Sequence, residues 1–261
     1  MENQNMIGSF GNKRFCEYCG KEMNKYGEIM IDGQIKRINF LCDCYIKAFD
    51  KEQEEEKRKA RRLYLERFFA NSEMGRRFEN CSLLNFQVLQ GTEESYEATK
   101  EFIENFDFKI KEGSGIVFLG TYGNGKTHLA SAIYNHAKAK EYPAIFHTMP
   151  TLMMRFNRTY KEDDETEYDL VDLLIEADLL VLDDMGAEKW SEKVQERLFA
   201  ILSGRYNHKK STVITANFIS LEEMENHIGG RAFDRLVERC DFVVNKAKSY
   251  RVEIAKLRRI I

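Results

Sequence analysis

In the stretch Gly120-Thr121-Tyr122-Gly123-Asn124-Gly125-Lys126-Thr127, glycines recur ahead of a lysine and a hydroxyl residue. Such glycines let the backbone curl so that successive N–H groups point inward, and a helix starting there adds the positive end of its dipole. This is a cradle for phosphate. Lys126 would reach the β- and γ-phosphates of a nucleoside triphosphate, and the Thr127 hydroxyl would coordinate magnesium. Thr121, Tyr122, Asn124 and His128 complete the candidate nucleotide contacts. The alternative, a plain glycine turn, explains the spacing less well. An apolar run, GIVFLG at 115–120, precedes the loop and the helical pattern HLASAIYNHAKA follows it, which is the strand–loop–helix setting the motif requires.

A triphosphate also needs a carboxylate for its metal. Leu179-Leu-Val-Leu-Asp183-Asp184 ends a buried-type apolar run with two acids. Asp183 would hold magnesium through water, and Asp184, shorter than a Glu, would polarise the attacking water as general base. The shorter side chain predicts slower hydrolysis. The competing reading is an acidic pair that only caps the following helix.

Cys16-Glu-Tyr-Cys19 and Cys42-Asp-Cys44 bring four thiols into two close pairs, with Gly20, Gly27 and Gly33 at turn positions between them. Four soft ligands suit tetrahedral zinc, and a head this small gains its folding free energy from the metal. Redox or simply reduced thiols are the alternatives, and the C-x-C spacing leaves room for a different fourth ligand. Cys81 and Cys240 stand apart and read as buried structural thiols.

The elements that must position these groups follow from the apolar pattern. Runs at 115–120, 143–148, 178–184, 211–217 and 241–245 alternate with amphipathic helical stretches, which predicts an α/β fold with a parallel sheet flanked by helices. Each run is expected to be a central strand, buried on both faces. The segment KEQEEEKRKARR at 51–62 contains neither Pro nor Gly and pairs Glu with Lys or Arg at helical spacing, so it reads as a solvated helix or, alternatively, a basic arm for nucleic acid. Three segments result: a zinc head at 1–47, a charged helical linker at 48–74 and an ATPase domain at 75–261. With 40 basic residues against 43 acidic ones in 261, bulk charge argues neither for a nucleic-acid coat nor for an acidic tail. No apolar run suits a membrane helix and the polar start lacks a signal-peptide centre, so a soluble, cytoplasmic protein is expected.

From about residue 75 onward the chain resembles the DnaC/DnaI helicase loaders and the IstB-type transposition helpers, a branch of the AAA+ ATPases. The resemblance rests on GTYGNGKTHLASAI, LLVLDDMGAEKW, VITAN, RAFDRLVERC and SYR. It implies ATP, Mg2+ and Zn2+ as cofactors, and a P-loop sheet lacking the C-terminal lid, for which the sequence beyond Arg251 leaves no room. It implies Asn217 as the sensor that positions water and Arg251 as a same-subunit arginine. It further implies Arg235, ahead of Arg231, as the finger reaching a neighbour's ATP. Either arginine could instead be a surface charge. Phe78–Phe86 resembles the stretch that wraps adenine, although its aromatics read slightly better as core. Single-strand DNA contacts are implied for Tyr160 and Lys161 and for Trp190, Ser191 and Lys193, where an aromatic face stacks a base and Lys neutralises phosphate. Ordinary helix packing anchored by Trp190 is the alternative. The implied partners are a hexameric replicative DNA helicase gripped by the zinc head, single-stranded DNA, and further copies of the chain joined through the ATP interface. Two other expectations stay open: a transposase helper acting on duplex DNA, and a zinc adaptor using ATP only as a switch.

Overall fold

A computed structural model describes residues 9–10, 13–16, 19–21, 26–31, 34–39, 43–159, 165–186 and 191–252. The chain divides into two compact units, Met1–Tyr64 and Leu65–Ile261. Among its described residues the first holds two antiparallel pairs, β1 (Ser9–Phe10) with β2 (Lys13–Arg14) and β3 (Tyr26–Ile31) with β4 (Gln34–Asn39). Helix α1 (Asp43–Ala70) crosses the boundary in sequence, and its charged stretch 51–62 is exposed throughout. Past the boundary its character changes, because Leu65 and Phe68 are buried.

In the second unit, α2 (Glu93–Glu104) and α3 (Phe106–Glu112) lead into β5 (Gly115–Leu119) and α4 (Lys126–Ala139). There follow β6 (Ala144–Thr148), α5 (Met149–Arg158), α6 (Glu167–Glu176), β7 (Leu179–Met185), α7 (Glu192–Asn207) and β8 (Ser211–Ala216). The unit closes with α8 (Leu221–Ile228), α9 (Gly230–Arg239) and β9 (Cys240–Val244). All five strands run parallel in the order β6-β7-β8-β5-β9.

Alternate residues of the strands feed two separate apolar layers. Val117, Leu119, Ile145, Leu180, Leu182 and Ile214 pack with α5 to α9. Ile116, Phe118, Phe146, Val181 and Val213 pack with α2, α3 and α4 on the other face. Strands buried on both sides need apolar residues at both parities, so these runs lack polar alternation. Two strands depart from the expectation of a central position: among the described residues β6 pairs only with β7 and β9 only with β5, so both are edge strands, β6 still buried and β9 mostly half-buried.

The topology also fixes where a ligand can go. From β5 the chain crosses to the far edge at β6, returns through β7 and β8 to lie beside β5, and adds β9 on the other side. The strand order therefore reverses at β5, and the crevice beyond the carboxyl ends of such strands is the binding position of this architecture.

Candidate nucleotide site

The loop 120–125 leaves the end of β5 and enters α4 through backbone conformations that L side chains rarely adopt, with φ +133° at Gly120 and +96° at Gly125. Space excludes side chains too. A Cβ on Gly120 would strike the Asn245 carbonyl, and one on Gly125 would lie 2.8 Å from the Phe86 ring. The loop is braced just beyond β9 by a reciprocal amide pair, Asn124 Nδ2 donating to Asn245 O at 3.0 Å and Asn245 Nδ2 to Asn124 O at 2.8 Å. Further bonds run from Gly120 N to Phe218 O and from Tyr250 N to Gly123 O.

Lys126 Nζ lies inside the loop and donates to Gly120 O at 2.8 Å, Thr121 O at 2.7 Å and Asn124 Oδ1 at 3.2 Å. Burial pushes its pKa down to about 8, and the nearby Asp184 and Asp183 carboxylates offset only part of that effect.

The acidic pair sits at the end of β7, where a register irregularity falls between Leu182 and Met185. Asp184 carries the irregularity with φ +57°, a left-handed conformation that Asp tolerates better than most residues. Thr215 of β8 ties the Asp183 carboxylate to the Asp184 backbone. Its hydroxyl donates to Asp183 Oδ1 at 2.5 Å and accepts the Asp184 N–H at 3.0 Å. Burial raises the Asp183 pKa, while hydrogen bonds from Thr215 and Thr127 act against it. Asn217 Nδ2 donates to Asp184 Oδ1 at 3.3 Å.

A cavity of about 360 Å³ opens over this arrangement. Tyr122, Gly123, Asn124, Gly125, Lys126, Thr127 and His128 line it, together with Asp184, Asn217, Tyr250 and Arg251. Asp183 stands just behind, and Gly120 and Thr121 contribute the carbonyls that hold Lys126. The remaining wall comes from Arg77, Phe78, Cys81, Asn85 and Phe86, with Gln87, Leu89 and Thr92. Phe86 packs against the apolar layer under α4 and also lines this cavity with Phe78, and Cys81, buried as expected, lines it too. Cys240 does behave as a structural thiol, its pKa pushed up to about 12 by burial.

Arg235 does not line this cavity. It lies on α9 with its guanidinium 4.5 Å from the centre of the Tyr206 ring, and Arg239 approaches the same ring at 5.2 Å. Arg231 lies over Phe199 at 5.4 Å. Ser191 caps α7, accepting the Val194 N–H at 3.4 Å, and Lys193 is exposed in the first turn. Tyr160, Lys161 and Trp190 lie outside the described residues, as does Cys42.

In the first unit, the Sγ atoms of Cys16, Cys19 and Cys44 all lie within 4.8 Å of one another, with Cys16 and Cys44 at 3.3 Å. That is too long for a disulfide and close to the spacing of thiolates held about 2.3 Å from one zinc ion. A tight turn presents the first pair: Gly20 N donates to Cys16 O and Cys16 N to Lys21 O, both at 2.8 Å.

Sequence reasoning missed Thr215 and the Asn124–Asn245 brace. The signal for Thr215 lay in VITAN itself, where a hydroxyl precedes the strand-end Asn by two residues and so shares its side of the strand.

A parallel sheet of this order, with a glycine loop after its first strand and an acidic pair at the end of the third, defines a P-loop nucleotide-binding fold of the AAA+ class. The chain belongs to the family of IstB-like ATP binding proteins, whose family model matches residues 48–257. It is 28% identical over 180 residues to the replicative helicase loader DnaC of Escherichia coli (strain K12), covering 69% of this chain and 72% of that protein. It is 21% identical over 220 residues to the replicative helicase loader DnaI of Bacillus subtilis (strain 168), covering 81% of this chain and 67% of that protein. The crystal structure of the DnaC helicase loader matches with TM-score 0.59 at 26% identity, over 66% of this chain and 100% of that one.

Proposed function

We propose that this chain loads the replicative DNA helicase onto single-stranded DNA, using ATP that it binds and hydrolyses with magnesium. The observation that carries the reading is the convergence of the Lys126 loop, Asp184 and Asn217 on one cavity, with Asp183 tied to the same site through Thr215, in a chain whose relatives include replicative helicase loaders.

In this reading the loop amides and Lys126 hold the phosphates. The site suits a hard cation as well: the Thr127 hydroxyl and the buried Asp183 carboxylate are oxygen donors already hydrogen-bonded to each other. Bound there, magnesium would neutralise charge on the phosphate oxygens. Asp184 accepts a proton from the attacking water. Asn217, which holds Asp184 at 3.3 Å, orients both the base and that water. Arg251, on the cavity wall, offsets charge from within the subunit. Arg235, which does not line its own site, serves the ATP of an adjacent copy, so hydrolysis depends on assembly. The cysteine cluster holds zinc and shapes the head that grips the helicase, a hexameric ring. Tyr160, Lys161, Trp190, Ser191 and Lys193 contact the DNA strand. A cytoplasmic place of action follows from that substrate.

The test mixes purified protein with a hexameric replicative helicase, with and without ATP, and assays loading onto circular single-stranded DNA. A complex and ATP-dependent loading are expected. Failure of both, with tight binding to duplex DNA and a transposase, would favour the transposition helper.

A further inference from the structure

The wall formed by residues 78–86 has little regular structure of its own beyond the end of a 3-10 turn at Arg76–Phe78 and a second at Leu83–Asn85. Left to itself, such a segment would be ordered by the ligand at an entropic cost charged against binding. Here it is fastened to α4. The Asn135 side-chain amide donates to Phe78 O at 3.0 Å and to Cys81 O at 2.8 Å, so both of its hydrogens are used. His128, seven residues earlier and on the same helical face, meets Ser82 O at 3.0 Å through Nε2, which must carry the proton because a carbonyl only accepts. The Phe86 ring sits edge-on to His128 with centroids 5.2 Å apart and stacks on Tyr96 at 6.0 Å. Phe78, Cys81 and Phe86 line the cavity, while the first turn of the same helix carries Lys126 and Thr127.

We infer that Asn135 is a positioning residue that locks the base-side wall to the P-loop helix, so that base and triphosphate are read by one preorganised unit. Asn135 itself does not line the cavity. The inference rests on the reading of the cavity as a nucleotide site, and it assigns to the wall the part of the affinity that comes from the base and sugar.

Calorimetry on the full chain, comparing Mg-ATP with Mg-tripolyphosphate, separates the two contributions. In Asn135→Leu, which keeps the size and removes the donors, ATP binding should weaken about tenfold for two lost neutral hydrogen bonds. Tripolyphosphate, which engages only the loop, should bind as to the parent. Hydrogen exchange should accelerate in 78–86 and stay unchanged in 126–134. If Asn135→Leu shows no cooperative melt, Asn135→Ser carries the same comparison. Parallel losses for both ligands, or an unchanged ATP affinity, would overturn the role of Asn135. A parent protein that binds neither ligand would overturn the nucleotide reading and this inference with it.

Discussion

Lys126 is held by three acceptors and buried enough that its pKa falls to about 8, below the ordinary lysine value of 10.5. The sign of the consequence is fixed. Without ligand the charged form costs stability below pH 8, and that cost fades as pH rises toward 10.5. Phosphate raises the pKa again, so ATP binding above pH 8 takes up a proton and its affinity falls as pH rises through that value. Titrations at pH 8.5 in buffers of different ionisation enthalpy should register the uptake, whereas heats independent of buffer would remove the assignment. Thr215 makes the second residue-scale prediction. Thr215→Val keeps the shape and removes both bonds to the acidic pair, so ATP should still bind while turnover drops by about one to two orders of magnitude. Part of this site was legible in the residues alone. A lysine after spaced glycines and two acids ending an apolar run are local patterns. Thr215 was harder to read, because its importance arises from the pairing of β7 with β8, and its local sign is no more than the Asn two residues further on.

At the scale of elements, the five strands could be read because burial on both faces forces uninterrupted apolar runs. Their place in the sheet could not be read the same way: β6 and β9 are both edge strands, yet β6 is as buried as the central ones and only β9 is mostly half-buried. The boundary at 75 could not be placed from composition, since α1 continues its charged pattern to Arg67 while Leu65 and Phe68 are already buried. Arg205 of α7 was equally hidden. It is fully buried, its pKa lowered to about 9 by desolvation, and its guanidinium donates to Leu174 O at 2.6 Å, Ala177 O at 2.8 Å and Ser211 O. One side chain thereby satisfies the carboxyl end of α6 and the start of β8. Arg205→Met should cost about 2–4 kcal/mol, because the carbonyls lose their donors while a buried charge is relieved. Scanning calorimetry should find Tm lower by about 5–15 °C. Tyr206, at the end of the same helix, holds Arg235 by its ring and Glu238 by its hydroxyl at 2.7 and 2.8 Å. If Arg235 acts across a subunit boundary, Tyr206→Leu should lower turnover of the assembled protein and leave ATP affinity intact; unchanged turnover at saturating ATP would sever that link.

For the whole molecule, two units carry two chemistries. Three thiols gather in the first, and the phosphate loop and acidic pair lie wholly in the second. Native mass spectrometry should find about one zinc per chain, lost in Cys44→Ser, with the affinity for ATP preserved in that variant. Loss of ATP binding together with the metal would mean that the units are not independent. The partners remain the least legible part of the molecule in its sequence, since recognition of a helicase or a DNA strand depends on surfaces formed between molecules. What the residues do specify is a polyphosphate site. Calorimetry of Mg-ATP against the intact chain and against Lys126→Ala tests it most directly. One site per chain in the former and no measurable binding in the latter is the predicted result, and equal binding by both, or by neither, would contradict it.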